Sequence, residues 1–66
     1  MTLNQLKYAI AVSESDSFNI AARKLYISQP SLSTSIHALE EEIGIQIFRR
    51  SQNGIAVTPD GKEFLG

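Results

Sequence analysis

Apolar residues recur every three or four positions from residue 3 to residue 43, then every second position beyond it. Leu3, Leu6 and Ile10 fall at helical spacing, and Ala9 and Val12 widen that stripe, which predicts a first helix. Thr2 and Gln5 have the spacing of a capping box, in which each side chain covers an orphan backbone N–H. The polar run SESDS, residues 13–17, ends this helix, because such side chains hydrogen-bond their own backbone. Ser17 then suits the N-cap of a second helix, FNIAARKL, with Phe18, Ala21, Ala22 and Leu25 on its buried side. Its adjacent alanines admit a close neighbour, and Arg23 and Lys24 sit in the last turn, where cations suit the helix dipole.

The next stretch, SQPSLSTSIHALEEE, opens like a linker and closes in acid. At about 100° per residue, however, Leu32, Ile36, Leu39 and Ile43 share one narrow wedge, while Pro30, Ser33, Thr34, His37 and Glu41 face the other way. That arrangement is an amphipathic helix ended by Gly44, which suits the left-handed position after a helix. Ser28 or Gln29 would cap it. A residue before proline avoids the α region, which favours Gln29 as the last non-helical residue. The period then changes. Ile45 and Ile47 alternate, as do Ile55 and Val57, and the intervening SQNG carries an Asn-Gly hairpin signal. A two-stranded ribbon is predicted, with Arg49 and Arg50 near its tip. Thr58, Pro59 and Asp60 form a helix start, as cap, first position and acid at the positive end. Gly66 follows about two turns later, which suggests a piece of a longer protein.

The predicted fold is mainly α: a three-helix winged helix-turn-helix with a two-stranded β wing and the start of a fourth helix. Sixty-six residues make one domain at most, burying only about 60% of the unfolded surface and leaving little volume for an enclosed catalytic cavity. Ser33, His37 and Glu41 stack like a triad. An exposed helix nevertheless offers them neither a pocket nor oxyanion donors, so an enzyme is not expected. The absence of cysteine excludes disulfides and thiolate metal sites, and suits a reducing cytosol. No apolar run approaches the roughly 18 residues of a membrane span.

The net charge of −1 speaks against nucleic acid until its distribution is read. Residues 1–25 and 49–66 each carry +1, whereas residues 26–48 carry −3, all from Glu40, Glu41 and Glu42. In a helix-turn-helix the second helix enters the DNA major groove by its N-terminal residues. Base edges there are read by hydrogen bonds and methyl contacts, which need no cation. Gln29 can pair with adenine, and Pro30 and the Thr34 methyl can pack on a thymine methyl. Ser28, Ser31, Ser33 and the first-turn N–H groups can hold phosphates. The cations for the DNA backbone lie elsewhere, on Arg23, Lys24, Arg49 and Arg50. The glutamates are tolerable if the helix enters end-on. They read most simply as a solvated face, with Glu40 a possible partner for a wing arginine. His37 is either a solvated surface residue or a neighbour of phosphate or base.

The series A-A-x-x-L-x-x-S-Q-P followed by L-E-x-x-x-G, running from Ala21 to Gly44, resembles the DNA-binding domain of LysR-type transcriptional regulators. Ser17, Phe18, Ser33, Ile36, Phe48, Arg50, Thr58 and Gly61 extend the likeness over essentially the whole chain. The resemblance implies a bacterial, cytoplasmic, nucleoid-associated regulator binding an interrupted palindromic operator in double-stranded DNA. It implies residues 1–58 as the winged domain, with the helix-turn-helix at about 18–37, the recognition helix at about 29–42 and the wing at about 45–57. Residues 59–66 would begin a linker helix that makes a homodimer or tetramer. A small-molecule effector would bind a C-terminal domain absent from this chain. No cofactor, metal or membrane partner is expected. Carried over by position, Gln29, Pro30, Ser33 and Thr34 face DNA, with Arg50 on the wing. The chain departs from the pattern at Thr34, where the family often has Arg or Lys, at Ser35 for Gln, and at His37 for a basic residue, so a guanine-reading arginine is missing. The alternative is a helical protein-interaction module that reuses the same fold.

Overall fold

Hydroxyl side chains start each of the four helices found among the described residues. The structure, a computed structural model, describes residues 2–51 and 54–66. Thr2 caps α1 (Leu3–Ser15) in a complete capping box with Gln5, and Ser17 caps α2 (Phe18–Leu25). Ser28 caps α3 (Gln29–Ile43), and Thr58 caps α4 (Pro59–Leu65). In each case the side-chain oxygen accepts a backbone N–H of the first turn that would otherwise lack a partner. An antiparallel ribbon, β1 (Phe48–Ser51) with β2 (Gly54–Val57), stands between α3 and α4.

Helices α1, α2 and α3 pack on one another around Ala9, Val12, Ala21, Ala22, Leu32, Ile36 and Leu39. Ile47 and Phe48 extend this core to the foot of the ribbon. The predicted apolar wedge of the third helix is therefore its buried face, with Ile43 half-buried at its end. The first helix differs from expectation. Leu3 and Ile10 are 73% and 41% exposed, and the buried side is centred on Ala9 and Val12. These smaller side chains allow close packing against α2 and α3, which leaves the longer ones on the flank.

Two boundaries also differ. Gln29 is helical, so the pre-proline preference lost to the cap: Ser28 is short enough to accept the Ser31 N–H at 3.2 Å, and glutamine is not suited to that role. Ile45 and Ile47 precede β1 rather than belonging to it. The Ile47 carbonyl accepts the Thr58 N–H at 2.9 Å, and the Gln46 carbonyl accepts the Thr58 hydroxyl, so this segment serves α4 instead of the ribbon. In the ribbon Arg50 is paired with Ile55, and Ser51 with Gly54. The Asn-Gly turn signal falls partly on Asn53, outside the described residues.

Two backbone features carry consequences. Gly61 lies buried against the segment before β1, where a Cβ would stand 2.5 Å from the Ile47 carbonyl oxygen and 2.9 Å from its Cα. Tyr26 ends α2 in the left-handed region, φ 59°, with its side chain 94% exposed. Gly61→Ala should destabilise the domain by about 1–3 kcal/mol through overpacking, although alanine is the better helix former by about 1 kcal/mol. Thermal melts followed by circular dichroism should fall by at least ~4 °C, and an unchanged melting point would contradict the close approach. Tyr26→Asn should raise stability by about 0.5 kcal/mol, because asparagine tolerates the left-handed region and the tyrosine ring loses no packing. A lower melting point for Tyr26→Asn would show that the ring makes a contact of value.

Candidate nucleic-acid interface

The exposed start of α3 is built around its cap. Ser28 donates its hydroxyl to Ser31 Oγ at 2.8 Å while accepting the Ser31 N–H. Pro30 occupies the first turn, where its missing N–H removes no helical bond, and is exposed with Ser31. One turn on, Gln29 donates from Nε2 to Ser33 Oγ at 2.6 Å, the i, i+4 spacing that places both on one face. Thr34 and His37 continue the exposed side.

The wing meets this face through Arg50. Phe48 is buried and its ring meets Phe18 edge-on, with centroids 5.9 Å apart and planes at 74°. Residues two apart on a strand share a face, so Arg50 is carried to the same side as Phe48. Its guanidinium carbon lies 4.8 Å from the Phe18 ring centroid, and its Nη2 donates to Ser33 Oγ at 3.4 Å. Arg50 thus stands between two open grooves. The larger, about 910 Å³, is lined by Ser33, Thr34, His37, Glu41 and Gln46 among others. The smaller, about 400 Å³, is lined by Asp16, Ser17, Asn19, Gln29 and Gly54. Phe18 and Arg50 border both.

Gln29, Ser33, Thr34, His37 and Arg50 are therefore brought together. Pro30, Ser28 and Ser31 belong to the same exposed helix start but line neither groove. Arg49 pairs with Ala56 and, by strand alternation, points to the other face of the ribbon. Arg23 and Lys24 are exposed at the C-terminal turn of α2 and line neither groove.

Glu40 has a different role from the expected one. Its Oε2 accepts the backbone N–H groups of Ile47, at 2.7 Å, and of Phe48, at 3.1 Å, while Arg50 is engaged with Phe18 and Ser33. Glu40 Oε1 is 4.0 Å from His37 Nδ1, and Glu41 Oε1 is 3.4 Å from His37 Nε2. Three residues escaped sequence reasoning: Glu40 as a brace, Phe18 as the platform for an arginine, and Asn19 on the smaller groove. Asn19 had one available signal, its place in the first turn after the Ser17 cap. Among the described residues no cluster of three His, Cys, Asp or Glu could hold a metal ion, and no helix is long and apolar enough to cross a membrane.

Residues 3–62 match the family described as bacterial regulatory helix-turn-helix protein, lysR family. The chain belongs to the lysR family. Among its relatives, the HTH-type transcriptional regulator TfdT of Cupriavidus pinatubonensis is 46% identical over 65 residues, 98% of this chain and 28% of that protein. The crystal structure of the BenM DNA-binding domain with catB site 1 DNA has a TM-score of 0.94 and 48% identity, covering 98% of this chain and 73% of that one. That of the CbnR DNA-binding domain with DNA has a TM-score of 0.94 and 42% identity, covering 98% and 75%. This lysR-family chain spans between a fifth and three-tenths of the length of its curated relatives, 28% for TfdT and 21% for BenM of Acinetobacter baylyi. The winged helix-turn-helix expected from the sequence is the observed fold, and the matched family is one of regulatory helix-turn-helix proteins.

The brace has a measurable weight. Glu40→Ala leaves two half-buried N–H groups without their acceptor and should cost about 2–4 kcal/mol in urea unfolding, since each such bond to a charged group contributes about 1.5–3 kcal/mol and water recovers part of it. A loss below about 0.5 kcal/mol would mean water serves those groups equally well.

Proposed function

We propose that this chain is the sequence-specific DNA-binding domain of a cytoplasmic bacterial transcription regulator that works as a dimer or higher oligomer on double-stranded DNA. The single observation that carries the reading is the joining of the exposed start of α3 to a cationic wing: Gln29, Ser33, Thr34 and His37 adjoin Arg50 across two open grooves. The likeness to the BenM and CbnR domains, whose structures are complexes with DNA, supports it. In this reading the N-terminal turns of α3 enter the major groove, where Gln29, Pro30, Ser33 and Thr34 face base edges. Ser28, Ser31, His37 and Arg50 neighbour the DNA backbone, with Arg23, Lys24 and Arg49 supplying charge from the flanks. Glu41 and Glu42 lie toward the other end of α3 and stay outside the groove when the helix enters end-on. Oligomerisation through a continuation of α4, and an effector acting through a further domain, belong to the same proposal. The domain itself needs no cofactor for this work.

Binding to duplex DNA across a salt series tests it. Log K should fall linearly with log salt, with a slope of about −3 to −4 per bound domain if the four cations Arg23, Lys24, Arg49 and Arg50 each meet a phosphate. Absence of a slope would favour a protein-interaction module. Gln29→Ala should cost roughly 1–3 kcal/mol on a preferred site chosen from random duplexes and little on random DNA. An equal loss on both would show that Gln29 reads no base.

A further inference from the structure

The base-reading amide and the wing arginine converge on one hydroxyl. Ser33 Oγ receives Gln29 Nε2 at 2.6 Å and Arg50 Nη2 at 3.4 Å, and its two lone pairs can accept both donors at once. Arg50 is itself held, with its guanidinium over the Phe18 ring and its strand anchored by buried Phe48. Gln29 and Ser33 are half-buried, so the amide rests against protein rather than being free in water.

A glutamine side chain left free samples many rotamers, and ordering it during association weakens binding. Its amide end is also ambiguous, since exchange of oxygen and nitrogen turns a pattern suited to adenine into a different one. Adenine offers the N7 acceptor beside the N6–H donor, whereas guanine offers acceptors at both N7 and O6. One amide N–H given to Ser33 leaves the other N–H beside the carbonyl oxygen, and that donor–acceptor pair matches adenine.

We propose that Ser33 is a positioning residue for base reading: its hydroxyl, shared with Arg50 of the wing, holds the Gln29 amide in the orientation that selects adenine over guanine. The inference rests on the DNA-binding reading above. It assigns to the wing a part in sequence selection in addition to its grip on phosphate. Arg50 acts on a base it does not touch, through Ser33 and then Gln29.

A double-mutant cycle tests this on two duplexes. One carries the site selected from random sequences by the protein. The other changes the A·T pair whose identity ceases to matter in Gln29→Ala to G·C. Ser33→Ala should narrow the affinity ratio between the duplexes by about three- to tenfold. In the Gln29→Ala background the same change should alter the ratio less than twofold. Arg50→Ala should weaken both duplexes and, in addition, narrow the ratio when Ser33 is present but not in Ser33→Ala. A melting point close to that of the parent reports that Ser33→Ala is folded, since alanine suits a helix and the small half-buried serine leaves little space behind.

The proposal is overturned if Ser33→Ala leaves the ratio unchanged. The same follows if it narrows the ratio as much without Gln29 as with it, which would mark a contact of its own, or if Arg50→Ala weakens both duplexes equally. A parent protein without salt-dependent duplex binding sinks the DNA reading itself. A parent that binds and discriminates while the cycle is additive sinks only the positioning role.

Discussion

One carboxylate holds α3 to the foot of the ribbon. Glu40 stands in the last turns of α3, where the helix dipole disfavours an acid by about 0.3–1 kcal/mol. It accepts two successive N–H groups, from Ile47 and Phe48, each bond to a charged group contributing about 1.5–3 kcal/mol. The bonds outweigh the dipole, which accounts for an acid at a position that helix electrostatics argues against. The rest of the surface follows from this attachment. With its N–H held, Phe48 turns into the core against Phe18; Arg50, two residues on, then lies over the same ring and reaches Ser33, and Ser33 meets Gln29. The brace lies on the far part of α3 from Gln29, yet each link between them is a direct contact.

The separation of charge from recognition follows from the same arrangement. The first turn of α3 carries no fixed charge, and its polar groups are amides, hydroxyls and a helix start. Arg23 and Lys24 sit on α2, and Arg49 and Arg50 on the ribbon. A net charge of −1 therefore describes the chain poorly, because one glutamate of the acidic cluster is occupied within the fold and a second neighbours His37.

Much of this was legible in the sequence, and for identifiable reasons. The caps at Thr2, Ser17 and Thr58 and the wedge of Leu32, Ile36 and Leu39 depend on local chemistry and period, which a sequence displays directly. Ser33, Thr34 and His37, which line the larger groove, followed from the same helical spacing, whereas Gln29 was singled out by its place at the helix start. What stayed hidden depended on partners distant in the chain. The orientation of α1 is set by how closely α2 and α3 approach Ala9 and Val12, not by the larger Leu3 and Ile10. The segment at Ile45 and Ile47 alternates like a strand, but its carbonyls are claimed by Thr58. The contact between Arg50 and Phe18 spans more than thirty residues, and no periodicity announces it.

The burial of Gly61 against Ile47 has a mechanical meaning. Gly61 lies directly on the Ile47 backbone with no Cβ of its own to hold the two apart, and Thr58 fastens the same segment from the start of the helix. The junction is a clamp, not a hinge. A helix advances 1.5 Å per residue, so a 10° error in its launch angle would displace a point twenty residues along by ~5 Å. In the proposed continuation of α4, the bearing of that helix is set by the segment at Gln46 and Ile47, which also leads into β1.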